Sequence, residues 1–319
     1  MKILFVTATR IGDAVLSTGL LAYLIGRYPG ASITVAAGPL AAPLFEAVPG
    51  LKRIIVVDKK KFALHWAKLY LAVAAARWDL VIDLRGSAIA YLLWAGERRT
   101  AAKGNSEEHR VKQLARLFDL DPPPAPQLWL APKHIAVAAI LMPPEKPFLA
   151  IGPAANWHGK EWRAERFAEL AKRLTSAQGP LPGARVAIMA ALHERAQAQP
   201  VIDALPRERV VDLVGQVDLL TAGAVLKRAA LFVGNDTGLM HIAAASGAPT
   251  LGLFGPSRVS EYAPWGKRAE VAATATPYLQ LFQPGWDRFA TDSMMDSLSV
   301  EAAEQGARRL LANLSAEKA

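Results

Sequence analysis

Short, unbroken runs of apolar and β-branched residues alternate with longer helical patterns along this chain, and the alternation begins twice. In the first series, strands are expected over 3–6, 32–36, 54–57 and 80–83. Helices are expected over 13–27, where Leu16, Leu20, Tyr23 and Leu24 share a face, and over 63–76. The series restarts with strands over 148–152, 185–189, 210–213, 231–233 and 250–254, interleaved with helices over 164–175, 193–205, 219–229 and 239–245. These strands do not alternate apolar with polar residues, which is the signature of a parallel sheet covered by helices on both faces. At about 150 residues per domain, 319 residues accommodate two such units. The expected fold class is α/β, two consecutive doubly wound domains over 1–145 and 148–298. Asp121-Pro-Pro-Pro-Ala-Pro126 is a breaker, and Met142-Pro-Pro-Glu-Lys-Pro147 reads as the linker. A last helix is expected over 300–312 with Ser299 as its cap.

Composition narrows the function. With 52% hydrophobic residues the chain has ample core material, which excludes disorder as its overall state. The absence of cysteine excludes a disulfide framework, thiolate-bound zinc, iron–sulfur ligation and a cysteine nucleophile, and fits a reducing compartment. The opening MKILFV is too short an apolar run for an export signal, and the apolar stretch 69–76 falls well below the ~20 residues of a membrane span. A soluble, cytoplasmic protein is expected. Residues 1–147 carry 19 basic and 11 acidic side chains, against 18 and 17 in the remainder, so nearly all of the net charge of +9 sits in the first half. Such a half suits nucleic acid, an anionic membrane surface or a polyanionic small substrate. No nucleic-acid-binding signature accompanies the charge, so no nucleic-acid partner is expected.

Three segments at expected strand ends could carry chemistry. In the first, Asp236-Thr-Gly-Leu-Met-His241 follows the strand ending near Gly234 and opens a helix that Gly247 stops. Asp236 stands at the N-cap position, and the free N–H groups of the helix start suit a phosphate. Asp236 alone favours plain capping, but Asp, Thr, Gly and His converging on one helix start favour a site. The second, Arg10-Ile-Gly-Asp13, follows the first strand and lacks the G-x-G-x-x-G dinucleotide fingerprint. Asp13 either caps the helix or presents a general base. The third runs from Gly152 to Arg166 and holds Asn156, Gly159 and Lys160, a polar loop with one well-placed cation. Two basic clusters, Lys59–Lys61 with His65, Trp66 and Lys68, and Arg98, Arg99 and Lys103 with His109, Arg110 and Lys112, account for much of the first-half charge. His158 and His193 lack partners at metal-ligand spacing, so no metal site is expected. Neither Ser87 nor Ser257 sits in a G-x-S-x-G context.

On Arg10-Ile-Gly-Asp13, the loop from Asn156 to Trp162 and Asp236-Thr-Gly-Leu-Met-His241 with the following Phe254-Gly-Pro256, nearly the whole chain resembles glycosyltransferase family 9, the ADP-heptose:lipopolysaccharide heptosyltransferases. The resemblance implies the GT-B fold, two Rossmann-like domains facing a central cleft. It places the acceptor on the N-terminal domain, the nucleotide-sugar on the C-terminal domain, and a last helix over 299–315 packed back on the N-terminal domain. It implies inverting transfer of a heptose from ADP-heptose to a hydroxyl of the lipid A–core oligosaccharide, with no metal, at the cytoplasmic face of the inner membrane. Asp13 matches the general base. Asn156, Lys160, Glu194, Asp236, Thr237, Gly238 and His241 would bind the donor; Arg10, Gly12, Lys61, Arg98, Arg99 and Lys103 would bind the acceptor. The chain departs from the family pattern over 189–195 and 277–295. The rival readings are a nucleotide-sugar-binding protein without turnover, which needs no base, and a nucleotide-sugar epimerase of the same fold, which needs no acceptor surface.

Overall fold

The computed structural model describes residues 1–59, 63–101, 107–143, 147–282, 286–287 and 292–317. Its contacts divide the chain into two units, Met1–Ala131 and Pro132–Ala319. The first contains β1 (Lys2–Val6), α1 (Ile11–Arg27), β2 (Ser32–Ala37), β3 (Leu51–Val56), α2 (Leu64–Val73), β4 (Trp78–Asp83), α3 (Ile89–Leu92), β5 (Ala95–Thr100) and α4 (Arg110–Ala115). Its strands form one parallel sheet in the order β3-β2-β1-β4-β5. β1 is central, and Ile3, Leu4, Phe5 and Val6 are fully buried under helices on both faces. α1 covers one face through Val15, Leu16, Leu20, Leu21 and Leu24, and the proline-rich segment crosses it so closely that a Cβ at Gly19 would lie 2.2 Å from the Pro124 carbonyl.

The second unit contains α5 (Pro132–Leu141), β6 (Phe148–Gly152), α6 (Ala164–Thr175), β7 (Arg185–Ile188), α7 (Arg195–Asp203), β8 (Val210–Asp212), α8 (Leu219–Leu226) and β9 (Leu231–Asn235). It continues through α9 (Gly238–Ala245), β10 (Thr250–Phe254), α10 (Val259–Tyr262), β11 (Ala269–Ala273) and α11 (Val300–Ala316). Its parallel sheet has the order β11-β10-β9-β6-β7-β8, so the first and fourth strands of the unit lie side by side at the centre. That is the doubly wound arrangement, with a topological switch between β6 and β9. α6 shows how the sequence builds it: Phe167, Leu170, Ala171 and Leu174 recur at helical spacing and are buried, while Glu169 and Arg173 pair on the outer face at 2.7 Å.

The division falls at 131/132, ahead of α5, and not within 142–147. α5 packs on α8, buries His134 and Ala138, and leads to Met142, whose carbonyl accepts a bond from Arg228 at 3.1 Å. Residues 144–146 of the expected linker lie outside the described residues. The last helix is capped by the Ser299 hydroxyl, which accepts from the Ala302 N–H at 3.1 Å. Its buried face, Ala303, Ala307, Leu310 and Leu314, belongs to the core of the second unit. Small residues allow this close seat: a Cβ at Gly306 would already touch Leu251 of β10 at 3.1 Å.

Candidate functional site

In the first unit, the sheet reverses order between β1 and β4, so the loops after these strands are where a ligand is expected. After β1, Arg10 is the extended residue that opens α1, and no side chain caps the helix. Gly12 and Asp13 are therefore the second and third helical residues, and Asp13 is a first-turn carboxylate at the positive end of the dipole, not the cap. Behind it the Thr7 and Ser17 hydroxyls bond at 2.8 Å and fix the turn. After β4 the sequence reading missed Asp83, which is fully buried. Its carboxylate accepts from the Arg85 N–H at 2.9 Å and from the N–H and hydroxyl of Ser87 at 2.7 and 2.5 Å, shaping the loop from within. The Arg85 guanidinium lies 4.5 Å above the Trp66 ring, and burial holds its pKa below the ordinary arginine value despite Asp83.

The basic residues assigned to the acceptor fare unequally. Arg10 is exposed beside Asp13 in sequence. Arg98 donates to the Ala90 and Leu93 carbonyls at 2.9 and 2.8 Å and so caps the end of α3. Arg99 pairs with Glu97 at 2.6 Å and lies over Phe118. Lys61 and Lys103 lie outside the described residues.

In the second unit, Gly152 and Gly234 face each other at the ends of β6 and β9. The loop after β6 carries Asn156, exposed, and then Lys160; the turn after β9 carries Asp236 and Thr237 ahead of α9. Across this switch point the Lys160 ammonium meets the Asp236 carboxylate at 2.6 Å, with the two side chains 22% and 8% exposed. His241 Nε2 lies 3.7 Å from the other Asp236 oxygen and is buried. Asp236 is thus not the helix cap that its position suggested. Thr237 is the N-cap residue, extended and without a side-chain capping bond, and the Asp236 carboxylate turns to Lys160 instead. The first-turn N–H groups of α9 have no carbonyl within the helix to bond, so a cation and a helix start converge. Lys160 keeps ammonium hydrogens for a further acceptor after its bond to Asp236. Of the expected donor residues, Lys160, Asp236, Thr237, Gly238 and His241 come together here. Glu194 lies on the loop after β7, where one of its oxygens accepts from the Ala191 N–H at 2.8 Å.

Asn235, also missed in the sequence, ties the two loops. Fully buried, it accepts from the Trp162 N–H at 3.2 Å and donates to the Pro153 carbonyl at 2.7 Å. Its only sequence signal is a polar residue closing an apolar strand. Asn235→Ala leaves two buried backbone groups unpaired, at about 1–3 kcal/mol each. Thermal denaturation should show a midpoint lower by several degrees, and an unaltered midpoint would dismiss the tie.

Residues 292–298 brace the Lys160 loop. The Met294 N–H donates to the Gly159 carbonyl at 3.0 Å, the Ser293 hydroxyl to the Glu161 carbonyl at 2.6 Å, and the Trp162 indole to the Leu298 carbonyl at 2.9 Å. Gly159 is required at its position, since a Cβ there would lie 2.6 Å from the Trp157 ring. His158 bridges Glu161 and Asp292 at 2.9 and 3.1 Å. Arg163 grips Asp296 with two 2.6 Å bonds and reaches Asp292 at 3.2 Å. Arg163 holds the Asp296 carboxyl below the usual carboxylate range, while the Ser293 N–H and then Arg163 do the same for Asp292. A depressed folded pKa stabilises above the ordinary value of about 3.9 and is lost as pH falls through the lower folded value. Glu161 acts oppositely, because burial pushes its carboxyl up. Lowering pH from 5 to 3 should therefore reduce the thermal midpoint, and Asp296→Asn should flatten that dependence; an equal acid slope in the variant would remove the clasp from the account.

Comparisons with known proteins give the family. Residues 86–283 match glycosyltransferase family 9 (heptosyltransferase), and the chain belongs to that family. It is 26% identical to lipopolysaccharide heptosyltransferase 2 of Salmonella typhimurium, over 87% of this chain and 89% of that protein. Its fold is similar to that of a glycosyl transferase family 9 protein from Veillonella parvula, with a TM-score of 0.78 and 19% identity over 98% of this chain and 97% of that one. It is similar also to the E. coli ADP-heptose lps heptosyltransferase II, with a TM-score of 0.76 and 21% identity over 99% and 100% of the two chains. The fold is GT-B, and the protein is a glycosyltransferase.

Proposed function

We propose that the chain transfers a heptose from ADP-heptose to a hydroxyl of a lipopolysaccharide core acceptor, with inversion. The observation that carries this reading is the Lys160–Asp236 pair beside His241 at the start of α9, a cation and free amides gathered at the switch point of the second sheet. A relative whose name includes ADP-heptose shares the fold over the whole chain, which supports the donor class. Asp13 takes the proton of the acceptor hydroxyl as its oxygen attacks the anomeric carbon. The bond from that carbon to the diphosphate breaks, ADP leaves, and the charge developing on the diphosphate is met by Lys160 and the N–H groups of Thr237 and Gly238. Asn156, Glu194, Asp236 and His241 orient donor oxygens. Arg10, Gly12 and the basic side chains Lys61, Arg98, Arg99 and Lys103 serve the anionic acceptor. No metal enters this scheme. The reaction belongs to the cytoplasmic face of the inner membrane, where a lipid-linked acceptor is presented.

The test is a panel of nucleotide-sugars screened by thermal stabilisation and then by turnover with purified core acceptors. ADP-heptose at a hundredfold excess over its Kd should stabilise by about 2.7 kcal/mol, seen as a shift of several degrees. Equal stabilisation by UDP- or GDP-linked sugars would reject the donor class.

A further inference from the structure

On the outside of the first unit, α2 and α3 expose apolar side chains that no core requires. α2 packs on the sheet through His65, Leu69 and Val73. Leu64, Lys68 and Leu71 recur at i, i+4 and i+7 on a second face, and there Leu64 is 53% and Leu71 77% exposed. A helix apolar on more than one face is ordinarily enclosed, and this one is not. The neighbouring α3 and the two residues that follow it repeat the pattern: Ile89, Ala90 and Leu93 are buried, while Leu92 and Trp94 are 64% and 66% exposed, with Tyr91 beside them. α2 and α3 pack against each other and share one core cluster, so both exposed sets lie on one flank. Two exposed cations are interleaved with them: Lys68 in the α2 stripe, and Arg77, whose guanidinium lies 4.3 Å over the Trp94 ring.

We infer that this flank is the surface by which the protein docks, in the plane of the interface, on a bilayer containing anionic lipid. Leucines that enter the acyl boundary, a Trp and a Tyr at headgroup depth, and cations against lipid phosphates are the chemistry such a surface takes. No helix among the described residues is long and apolar enough to cross a membrane, so the contact is peripheral. Charge selects this occupant over a second copy of the chain. A two-fold contact through the same patch would bury two copies of a cationic patch together, whereas an anionic surface neutralises Lys68 and Arg77. The excess positive charge of the chain lies in the same half. The inference rests on the reading above only in that a lipid-linked acceptor gives the docking its purpose.

Purified full-length protein is mixed with sedimentable vesicles of phosphatidylcholine alone, or with one-third phosphatidylglycerol, without nucleotide-sugar or core sugar. Wild type should sediment with the anionic vesicles, at least tenfold more than with neutral ones, and less as salt rises. Leu71→Ser, Leu92→Ser and Trp94→Ser together, and separately Lys68→Glu with Arg77→Glu, should each lower that partition at least tenfold with the thermal midpoint and ADP-heptose stabilisation retained. Wild type that ignores both vesicles, or triple-variant protein that still binds like wild type, overturns the docking surface. A dimer in light scattering that the triple variant dissociates assigns the flank to a second copy and overturns it too. None of these outcomes touches the donor reading, which stands or falls on the nucleotide-sugar panel.

Discussion

Asp13→Asn should lower transfer by about 10²–10⁴-fold, the span that a positioned general base contributes, while ADP-heptose binding stays within about twofold of wild type. Asp13 is the third residue of α1, immediately after the central strand of the first sheet, on a turn fixed by the Thr7–Ser17 bond. Asn has nearly the same shape, so the helix start is preserved. What it lacks is the charge and the capacity to carry away the acceptor proton. Loss of a first-turn carboxylate costs about 0.3–1 kcal/mol of stability through the dipole, far less than the ~3–5 kcal/mol that the rate loss represents. A nearly unchanged melting midpoint beside a collapsed rate is therefore the pattern expected. Turnover at the wild-type rate would remove Asp13 from the reaction, and loss of donor affinity in step with rate would make it a binding group instead.

The sequence exposed the buried strands well and the edges poorly. β1, β6 and β10 are continuous apolar runs because helices cover both their faces, and composition alone locates them. β5 reads Ala-Gly-Glu-Arg-Arg-Thr, and β11 is only partly buried; both are edge strands held by one neighbour, so neither needs an apolar run, and neither was expected. α5 was not expected, since prolines bracket it, yet Pro132 occupies the first helical position, where a missing N–H costs nothing. The site divides in the same way. Helix starts after strands were legible at Asp13 and at Thr237–Gly238, since local pattern sets them. The partner of Asp236 was not, because the local rule for an Asp before a helix is capping, and Lys160 lies 76 residues away. Asn235 and Asp83 escaped for a related reason: each closes an apolar strand, and only the folded loops show what their side chains hold.

Lys160→Met should weaken ADP-heptose binding by about 10–100-fold and lower the transfer rate by about 10²–10³-fold, the effect of losing one preorganised donor to a developing oxyanion. The difficulty is that the same change also leaves the Asp236 carboxylate, 8% exposed, without its cation. Breaking a fully buried pair costs ~3–5 kcal/mol, and the 22% exposure of Lys160 brings the expected figure down to about 1–3 kcal/mol. A lost activity could then reflect a strained turn before α9 and not a missing phosphate ligand. The double variant Lys160→Met with Asp236→Asn separates the two. Removing the stranded charge should restore much of the melting midpoint, because a neutral amide can stay near His241 without a counter-ion. Donor affinity and rate should stay low, because no ammonium remains to meet the diphosphate. Lys160→Arg should fall between, since it keeps the charge but replaces a compact ammonium with a broader fork. Recovery of rate along with stability in the double variant would show that Lys160 serves only to hold Asp236. Stability recovered with the rate still depressed makes it the cation of the donor site.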